Sequence, residues 1–216
     1  MEFVRTNTSL PVPQVYHAFE RASRVYIVMQ RIEAPNLATQ WCRRSEASKN
    51  KVLEQLKTMF EELRGLEAPK GVGVANVDLG PILDHRLPRQ SQWGPYSCIQ
   101  DFHKALVDDQ DLAAVEDDSF SDLQELARFY HQQPWHHPVF THGDLSSLNI
   151  LCEQDEVVGI IDWETAGWLP PYWEYVTAWN VNPQNAFWQE EVDKFLTPYP
   201  LARDMDAVRR KYFGFY

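Results

Sequence analysis

Two aspartates and one asparagine are the residues of this sequence whose types and spacing best suit catalysis. They lie in the stretch THGDLSSLNILCEQDEVVGIIDWE, as Asp144, Asn149 and Asp162. Carboxylate and amide oxygens are the ligands that Mg²⁺ prefers, together with water and phosphate oxygens. Phosphoryl transfer uses such a set: one Asp and an Asn hold the metal ions, and a second Asp accepts the proton of the attacking hydroxyl. The stretch therefore indicates phosphoryl-transfer chemistry.

A predicted β-hairpin would bring these three side chains together. The segments NILC and VVGIID, on either side of EQDE, predict two antiparallel strands. Asn149 begins the first strand and Asp162 ends the second, so the two should lie side by side at its open end, with Asp144 in the preceding turn. Each residue also has an ordinary interpretation: Asp144 as a turn former, Asn149 as a backbone-bonded side chain, and Asp162 with Glu164 as a helix start. If all of these ordinary interpretations were true at once, the spacing of the residues in this stretch would have arisen by several coincidences.

The rest of the chain predicts an α+β protein. PVPQVYHAF and RVYIVMQRI are rich in Val, Ile and Tyr and predict two β-strands. Apolar residues spaced by three and four predict an amphipathic helix over Ser45–Leu66. SDLQELARFYHQQ and the Trp- and Tyr-rich part after Pro170 also predict helices. The segment Pro69–Pro95 is predicted to be a long loop, and loops of that length often have a functional role.

The segments HGDLSSLNIL and GIIDWETAGWLPPYWEY resemble the signature of the aminoglycoside phosphotransferase and choline kinase-like family. The family pattern is His-Gly-Asp, four residues, Asn, and an Ile-Asp-Trp-Glu segment after a short hairpin. The protein-kinase catalytic loop has the same interval from Asp to Asn. FVRTNTSLPVPQVY and YIVMQRI are similar to the strands beside the family's nucleotide hinge. The resemblance implies a protein-kinase-like fold, with a partial N-terminal β lobe and hinge in residues 1–34 and a mainly helical C-terminal lobe in 35–216.

The same resemblance implies roles for residues of the catalytic stretch. Asp144 would be the catalytic base, and His142 would orient the catalytic loop. Asn149 and Asp162 would bind Mg²⁺. Glu164 would support this site without touching the metal.

The resemblance also implies where the nucleotide and the substrate bind. Backbone groups of Gln30, Arg31 and Ile32 would contact the adenine at the hinge. The helical part after Pro170 and the segment Pro69–Pro95 would form the substrate side. The implied reaction is transfer of the γ-phosphoryl group of ATP or GTP, with Mg²⁺, to a hydroxyl of a small molecule.

The parts of the family that grip the phosphates are a Gly-rich loop, a Lys and a Glu that pairs with this Lys, and all precede the hinge. MEFVRTNTSL contains neither Gly nor Lys, so the chain is expected to be an N-terminally truncated member. The alternative function is a catalytically inactive, pseudokinase-like binding module. A truncated sheet would also leave an exposed edge through which the chain could pair with another chain.

Composition limits the partners. The net charge of −11 lacks the basic balance that nucleic-acid binding needs. The sequence has neither a long apolar run nor a signal-peptide pattern, so we expect no membrane span. Three widely separated cysteines fit a reducing compartment, which predicts a cytoplasmic protein.

The acidic charge is compatible with a cationic substrate such as an aminoglycoside or choline. The aromatic residues between Trp163 and Trp179 could stack on a cationic amine, or simply pack in the helical lobe.

Overall fold

Helices and short β-strands alternate along the chain. The structure is a computed structural model that describes residues 1–88, 91–115, 117–132, 135, 137–180 and 186–214. The helices are α1 (Glu2–Asn7), α2 (Leu37–Gln40), α3 (Glu46–Arg64), α4 (Ile99–Leu106), α5 (Ser121–Gln132), α6 (Trp173–Asn180), α7 (Ala186–Phe195) and α8 (Pro200–Phe213). The strands are β1 (Val15–Arg21), β2 (Arg24–Met29), β3 (Ala75–Asn76), β4 (Ile82–Leu83), β5 (Gln92–Trp93), β6 (Val139–Thr141), β7 (Ile150–Glu153), β8 (Glu156–Ile160) and β9 (Gly167–Leu169). The predicted α+β class is confirmed.

The long helix α3 buries one face in the core, as its apolar periodicity predicts. Ser45 caps its N-terminus, because its side chain accepts a hydrogen bond from the backbone N–H of Ser48, and the helix ends at Gly65. Its buried side chains are Val52, Leu53, Leu56, Phe60 and Leu63. The apolar side chains of Met59, on the helix, and of Leu66, just after it, are only partly buried against this core.

The N-terminal residues pack against the body of the protein that contains the catalytic stretch. Val4 and Leu10 are buried, and the Phe3 ring lies 4.9 Å from that of Phe140. The backbone N–H of Ile160 in β8 donates to the carbonyl oxygen of Pro11 at 2.8 Å. The chain therefore passes beside β8 before it enters the hairpin of β1 and β2.

The β1–β2 hairpin projects from the rest of the chain. Its turn residues Ala22 and Ser23 have φ of 52° and 57°, the left-handed conformation typical of tight hairpin turns. Both strands are shorter than PVPQVYHAF and RVYIVMQRI predict. Among the described residues the pair forms a two-stranded sheet of its own. Its large exposed apolar side chains are Tyr16, Phe19, Val25, Tyr26, Ile27, Val28 and Met29.

The segment Pro69–Pro95, predicted to be a long loop, contains three short strands, so that prediction is wrong in part. β3 pairs with β9, and β4 pairs with β5. Each of these strands has two residues, too few to show an alternating pattern, and β3 pairs with a partner far along the chain. The segment is therefore docked on the sheet β3-β9-β6 rather than free.

The aromatic residues of the C-terminal part mainly fill the core. The buried members of this group are Trp163, Trp168, Tyr172, Trp173 and Tyr175. The exception is Trp179, whose ring lies 4.7 Å from the guanidinium carbon of Arg203. Packing in the helical lobe, the simpler of the two interpretations, accounts for this cluster. In the part of the chain that the structure describes, no helix combines the length and apolar character that crossing a bilayer requires.

Candidate active site

Two turns of the chain meet at one end of the short strands. One turn follows β6, and the other follows β8. Thr141 at the end of β6 pairs with Gly167 at the start of β9, which places the two turns on the same side. The backbone N–H of Ile161 donates to the carbonyl oxygen of Asn149 at 2.9 Å and joins them directly. The residues that the sequence analysis singled out lie on these two turns.

Asn149 and Asp162 lie just outside the hairpin strands instead of within them. β7 begins at Ile150 and β8 ends at Ile160. The N–H of Asn149 donates to the carbonyl oxygen of Ser146, inside the turn. Asp162 has φ of 67°, a left-handed conformation that interrupts the extended strand and that Asp adopts more readily than most residues. The predicted strand ends are thus wrong by one and two residues, while the placement at the open end of the hairpin is as predicted.

The structure brings Asp144 and Asn149 into direct contact. The side-chain nitrogen of Asn149 donates to the carboxylate Oδ2 of Asp144 at 3.1 Å and to its carbonyl oxygen at 2.9 Å. Burial raises the pKa of Asp144, the nearby Arg86 cation opposes this, and the Asp162 charge adds to it. Burial and the neighbouring Glu164 likewise raise the pKa of Asp162. Like charges gathered in this way favour a bound cation.

This group of oxygens fits Mg²⁺. The side-chain nitrogen of Asn149 is used by Asp144, which leaves its amide oxygen as the atom that could bind a metal ion. Asp162 is exposed and could supply a carboxylate oxygen. Two such ligands, with water and phosphate oxygens completing the octahedron, are typical of Mg²⁺ in phosphoryl-transfer sites. Glu164 is also exposed and influences Asp162 through charge.

His142 links the two turns through both of its ring nitrogens. The backbone N–H of Asp144 donates to Nδ1 at 3.1 Å, so Nδ1 is unprotonated. The proton is therefore on Nε2, which donates to the carbonyl oxygen of Ile161 at 2.9 Å. Burial lowers the pKa of His142 to about 4, which keeps the ring neutral. This geometry agrees with the orienting role that the sequence resemblance implies.

Glu174 holds the same turn from helix α6 and was missed by the sequence analysis. Its carboxylate accepts hydrogen bonds from the backbone N–H groups of His142 (2.6 Å) and Gly143 (3.1 Å). Its side chain is almost completely buried, and burial raises its pKa to about 7. Gly143 has φ of 81°, and a Cβ there would lie 2.9 Å from Oγ1 of Thr165. A carboxylate within the aromatic run YWEY is the signal that could have identified Glu174.

Arg86 reaches the candidate base from the segment between β4 and β5. Its Nη1 donates to Oδ1 of Asp144 at 2.9 Å, and its Nη2 donates to the carbonyl oxygen of Gly143 at 2.5 Å. Nε and Nη2 also donate to the two carboxylate oxygens of Asp84, at 2.9 and 2.8 Å. The segment Pro69–Pro95, which the resemblance assigns to the substrate side, thus contacts the turn between β6 and β7 (residues 142–149). This turn is called the catalytic turn below. Neither Asp84 nor Arg86 has a role predicted from the sequence, although DHR is a charged cluster within this segment.

The candidate hinge runs beside the β7–β8 hairpin. The N–H of Cys152 donates to the carbonyl oxygen of Pro35 at 3.0 Å, which fixes the hinge end to β7. Ile32 contacts β8, because a Cβ on Gly159 would come within 2.7 Å of its Cδ1. The Gln30 N–H donates to the carbonyl oxygen of Gln14 at 2.7 Å. Arg31 is exposed beside Glu33. The candidate hinge therefore packs against the same β7–β8 hairpin whose open end carries Asn149 and Asp162.

The chain is similar to one protein family and to several solved structures. A model of the phosphotransferase enzyme family matches residues 1–209. The apo form of a thermostable mutant of aminoglycoside phosphotransferase APH(4)-Ia has a TM-score of 0.64 and 21% identity, over 98% of this chain and 70% of that one. ADP-bound aminoglycoside phosphotransferase APH(2'')-Ib has a TM-score of 0.57 and 16% identity, over 98% and 67%. The GDP and kanamycin complex of APH(2'')-IIia has a TM-score of 0.60 and 17% identity, over 96% and 68%.

A comparison with curated protein sequences gives no match. At these identities the structural matches establish the fold alone. It is the kinase-like fold that the sequence resemblance implied.

Proposed function

This chain belongs to the phosphotransferase enzyme family, and from that premise we propose that it transfers the γ-phosphoryl group of ATP or GTP to a hydroxyl group of a small molecule. The observation that carries the proposal is the contact of Asp144 with Asn149, beside Asp162 and at the meeting of the two turns. Phosphoryl transfer needs little more from a protein than positioned charges and a base.

Asp144 accepts the proton of the acceptor hydroxyl in this proposal. The carboxylate of Asp144 is half-buried. The backbone N–H of Asp144 donates a hydrogen bond to Nδ1 of His142, which fixes the backbone at this position. Because His142 is neutral and uses both nitrogens for backbone contacts, it orients the turn and takes no part in proton transfer. Glu174 fixes the two N–H groups just before Asp144.

Asn149 and Asp162 would hold Mg²⁺, which neutralises charge on the phosphates when bound. Glu164 adds negative charge beside Asp162 and supports this site. Backbone groups of residues 30–32 would contact the nucleotide base. Solved relatives are complexes with ADP and with GDP, which supports a nucleotide donor without selecting ATP or GTP.

The acceptor would enter from the side of Pro69–Pro95 and of the helices after Pro170, where Arg86 meets the catalytic turn. Solved relatives are complexes with hygromycin B and with kanamycin, both small molecules with hydroxyl groups. These support a small-molecule acceptor for this chain. The net charge of −11 is compatible with a cationic acceptor.

Titration calorimetry with ATP and GTP, with and without Mg²⁺, tests the proposal. The wild type should bind nucleotide in a Mg²⁺-dependent manner, and Asp162→Ala should bind no better with Mg²⁺ than with EDTA. Asp204→Ala removes an exposed carboxylate on α8 and should behave as the wild type. Asp144→Asn should keep nucleotide binding and lose about 10²–10⁴-fold in transfer rate, the usual contribution of a general base. Absence of Mg²⁺-dependent binding in the wild type would rule the proposal out.

A second candidate is a binding module that uses the cleft without transfer. The observation that favours it is that both carboxylate oxygens of Asp144 already accept hydrogen bonds, one from Arg86 and the other from Asn149. In this case Asp144→Asn would leave the biological activity of the chain unchanged, whereas the phosphotransferase proposal requires that this activity be lost.

A further inference from the structure

Arg86 is placed to control the direction of the Asp144 carboxylate. We propose that Arg86 is a positioning residue for Asp144, and that Asp84 in turn fixes Arg86. The proposal rests on the proposed function, because the orientation of Asp144 matters for transfer only if this residue accepts the proton of the acceptor. It concerns a contact between the acceptor side and the turn that carries Asp144, and Arg86 is not among the proposed Mg²⁺ ligands.

The two oxygens of the Asp144 carboxylate are held by different parts of the protein. Oδ1 accepts from Nη1 of Arg86 at 2.9 Å, and Oδ2 accepts from Asn149 at 3.1 Å. Two donors on opposite oxygens fix the plane of a carboxylate, whereas one donor leaves it free to rotate about the Cβ–Cγ bond. A base must present its lone pair to the acceptor hydroxyl within hydrogen-bond reach, so this plane decides whether transfer is productive.

Arg86 is itself held on two sides. Asp84 is almost completely buried and accepts from Nε and Nη2 of Arg86 in a fork, and also from the backbone N–H of Arg86 at 3.0 Å. The N–H of Asp84 donates to the carbonyl oxygen of Ser91, which anchors it on the β4–β5 pair. On the other side, Nη2 donates to the carbonyl oxygen of Gly143. A guanidinium bound in this way has one orientation.

The contacts of Arg86 depend on the planar shape of its guanidinium group as well as on its positive charge. Four hydrogen bonds from the planar guanidinium group join Arg86 to Asp84, Gly143 and Asp144. Lysine has a single compact ammonium group and cannot reproduce this planar fork. A role in charge alone would be preserved by Arg86→Lys, whereas a role in positioning would not.

The side-chain amide signal of Asn149 in ¹⁵N-edited NMR tests the proposal without turnover, because this amide donates to the carboxylate in question. The variants are Arg86→Gln, Arg86→Lys and Asp84→Asn. Arg128→Gln is the matched control, because Arg128 is an exposed arginine that pairs weakly with its own helix. The signal should move in all three variants and stay unchanged in the control. An unchanged Asn149 signal in Arg86→Gln overturns the proposal.

Steady-state kinetics supply the second measurement. Arg86→Gln and Asp84→Asn should lower kcat about 100-fold, as expected for a small misplacement of a catalytic group. The affinity for Mg²⁺-nucleotide should be measured for both variants and should differ from the wild-type affinity by less than about twofold. The melting temperature of Asp84→Asn should be measured in parallel, to show that this variant is folded. Wild-type kcat in Arg86→Lys would overturn positioning in favour of charge. If the wild type transfers no phosphate but the Asn149 signal moves in the variants, the proposed function fails and the positioning contact stands.

Discussion

Glu174 should make the stability of the protein depend on pH, and Glu174→Gln should remove that dependence. Burial raises the pKa of Glu174 from 4.5 to about 7. A carboxyl whose folded pKa lies above its unfolded value stabilises the fold fully below pH 4.5, and this stabilisation is lost as the pH rises through 7. With these two pKa values, the free energy of unfolding should fall by about 2.5 kcal/mol between pH 5 and pH 8 from this group alone.

Glutamine at this position keeps one acceptor oxygen and turns an NH₂ group towards the other backbone donor. The resulting loss, about 1–3 kcal/mol for one unsatisfied buried group, does not depend on pH. The variant should therefore be less stable than the wild type at pH 5, and the difference between them should shift by about 2.5 kcal/mol in favour of the variant by pH 8.

Urea unfolding followed by tryptophan fluorescence at several pH values from 5 to 8 measures this shift directly. Glu125→Gln is the control, because Glu125 is an exposed carboxyl on helix α5. Its stability curve should run parallel to that of the wild type. If the wild-type and Glu174→Gln curves are parallel over this range, Glu174 does not titrate as its burial requires, and the reasoning is wrong.

Three further substitutions, one of them a control, test the packing at Gly143 and a buried ion pair on α8. Gly143→Ala and Gly71→Ala both place a side chain at φ of 81°, which costs about 1–2 kcal/mol. Only Gly143 faces a neighbour, Thr165, so its variant should lose about 1–3 kcal/mol more in urea unfolding. Asp206→Ala should cost about 3–5 kcal/mol, because it leaves the buried Arg209 without its partner at 2.7 Å. Thermal unfolding measures this loss, and replacing both residues by apolar side chains should recover most of it.

The sequence predicts the parts of this structure that are encoded locally. Helix α3 follows from its apolar spacing, and the catalytic stretch from the interval between Asp144 and Asn149. The roles of Asp144 and Asn149 in catalysis stay predictions, although the structure places these residues together.

The contacts that support the catalytic turn could not be read in the same way. Glu174 binds His142 from 32 residues along the chain, and Arg86 binds Asp144 from 58 residues away. Neither distance follows a helical or strand period, so only the packed fold reveals these partners. The three two-residue strands between Pro69 and Pro95 escaped prediction for the related reason that their pairing is not local.

The exposed β1–β2 hairpin should have a lower free energy of local opening than the buried core of the protein. Its strands pair with each other and leave several large apolar side chains in water, so opening it would expose little additional surface. Segments of this kind open locally, whereas a buried helix such as α3 opens only with the whole domain. Because the candidate hinge begins where β2 ends, a nucleotide bound there would restrict this local opening. Its affinity would then include the conformational entropy lost in that step.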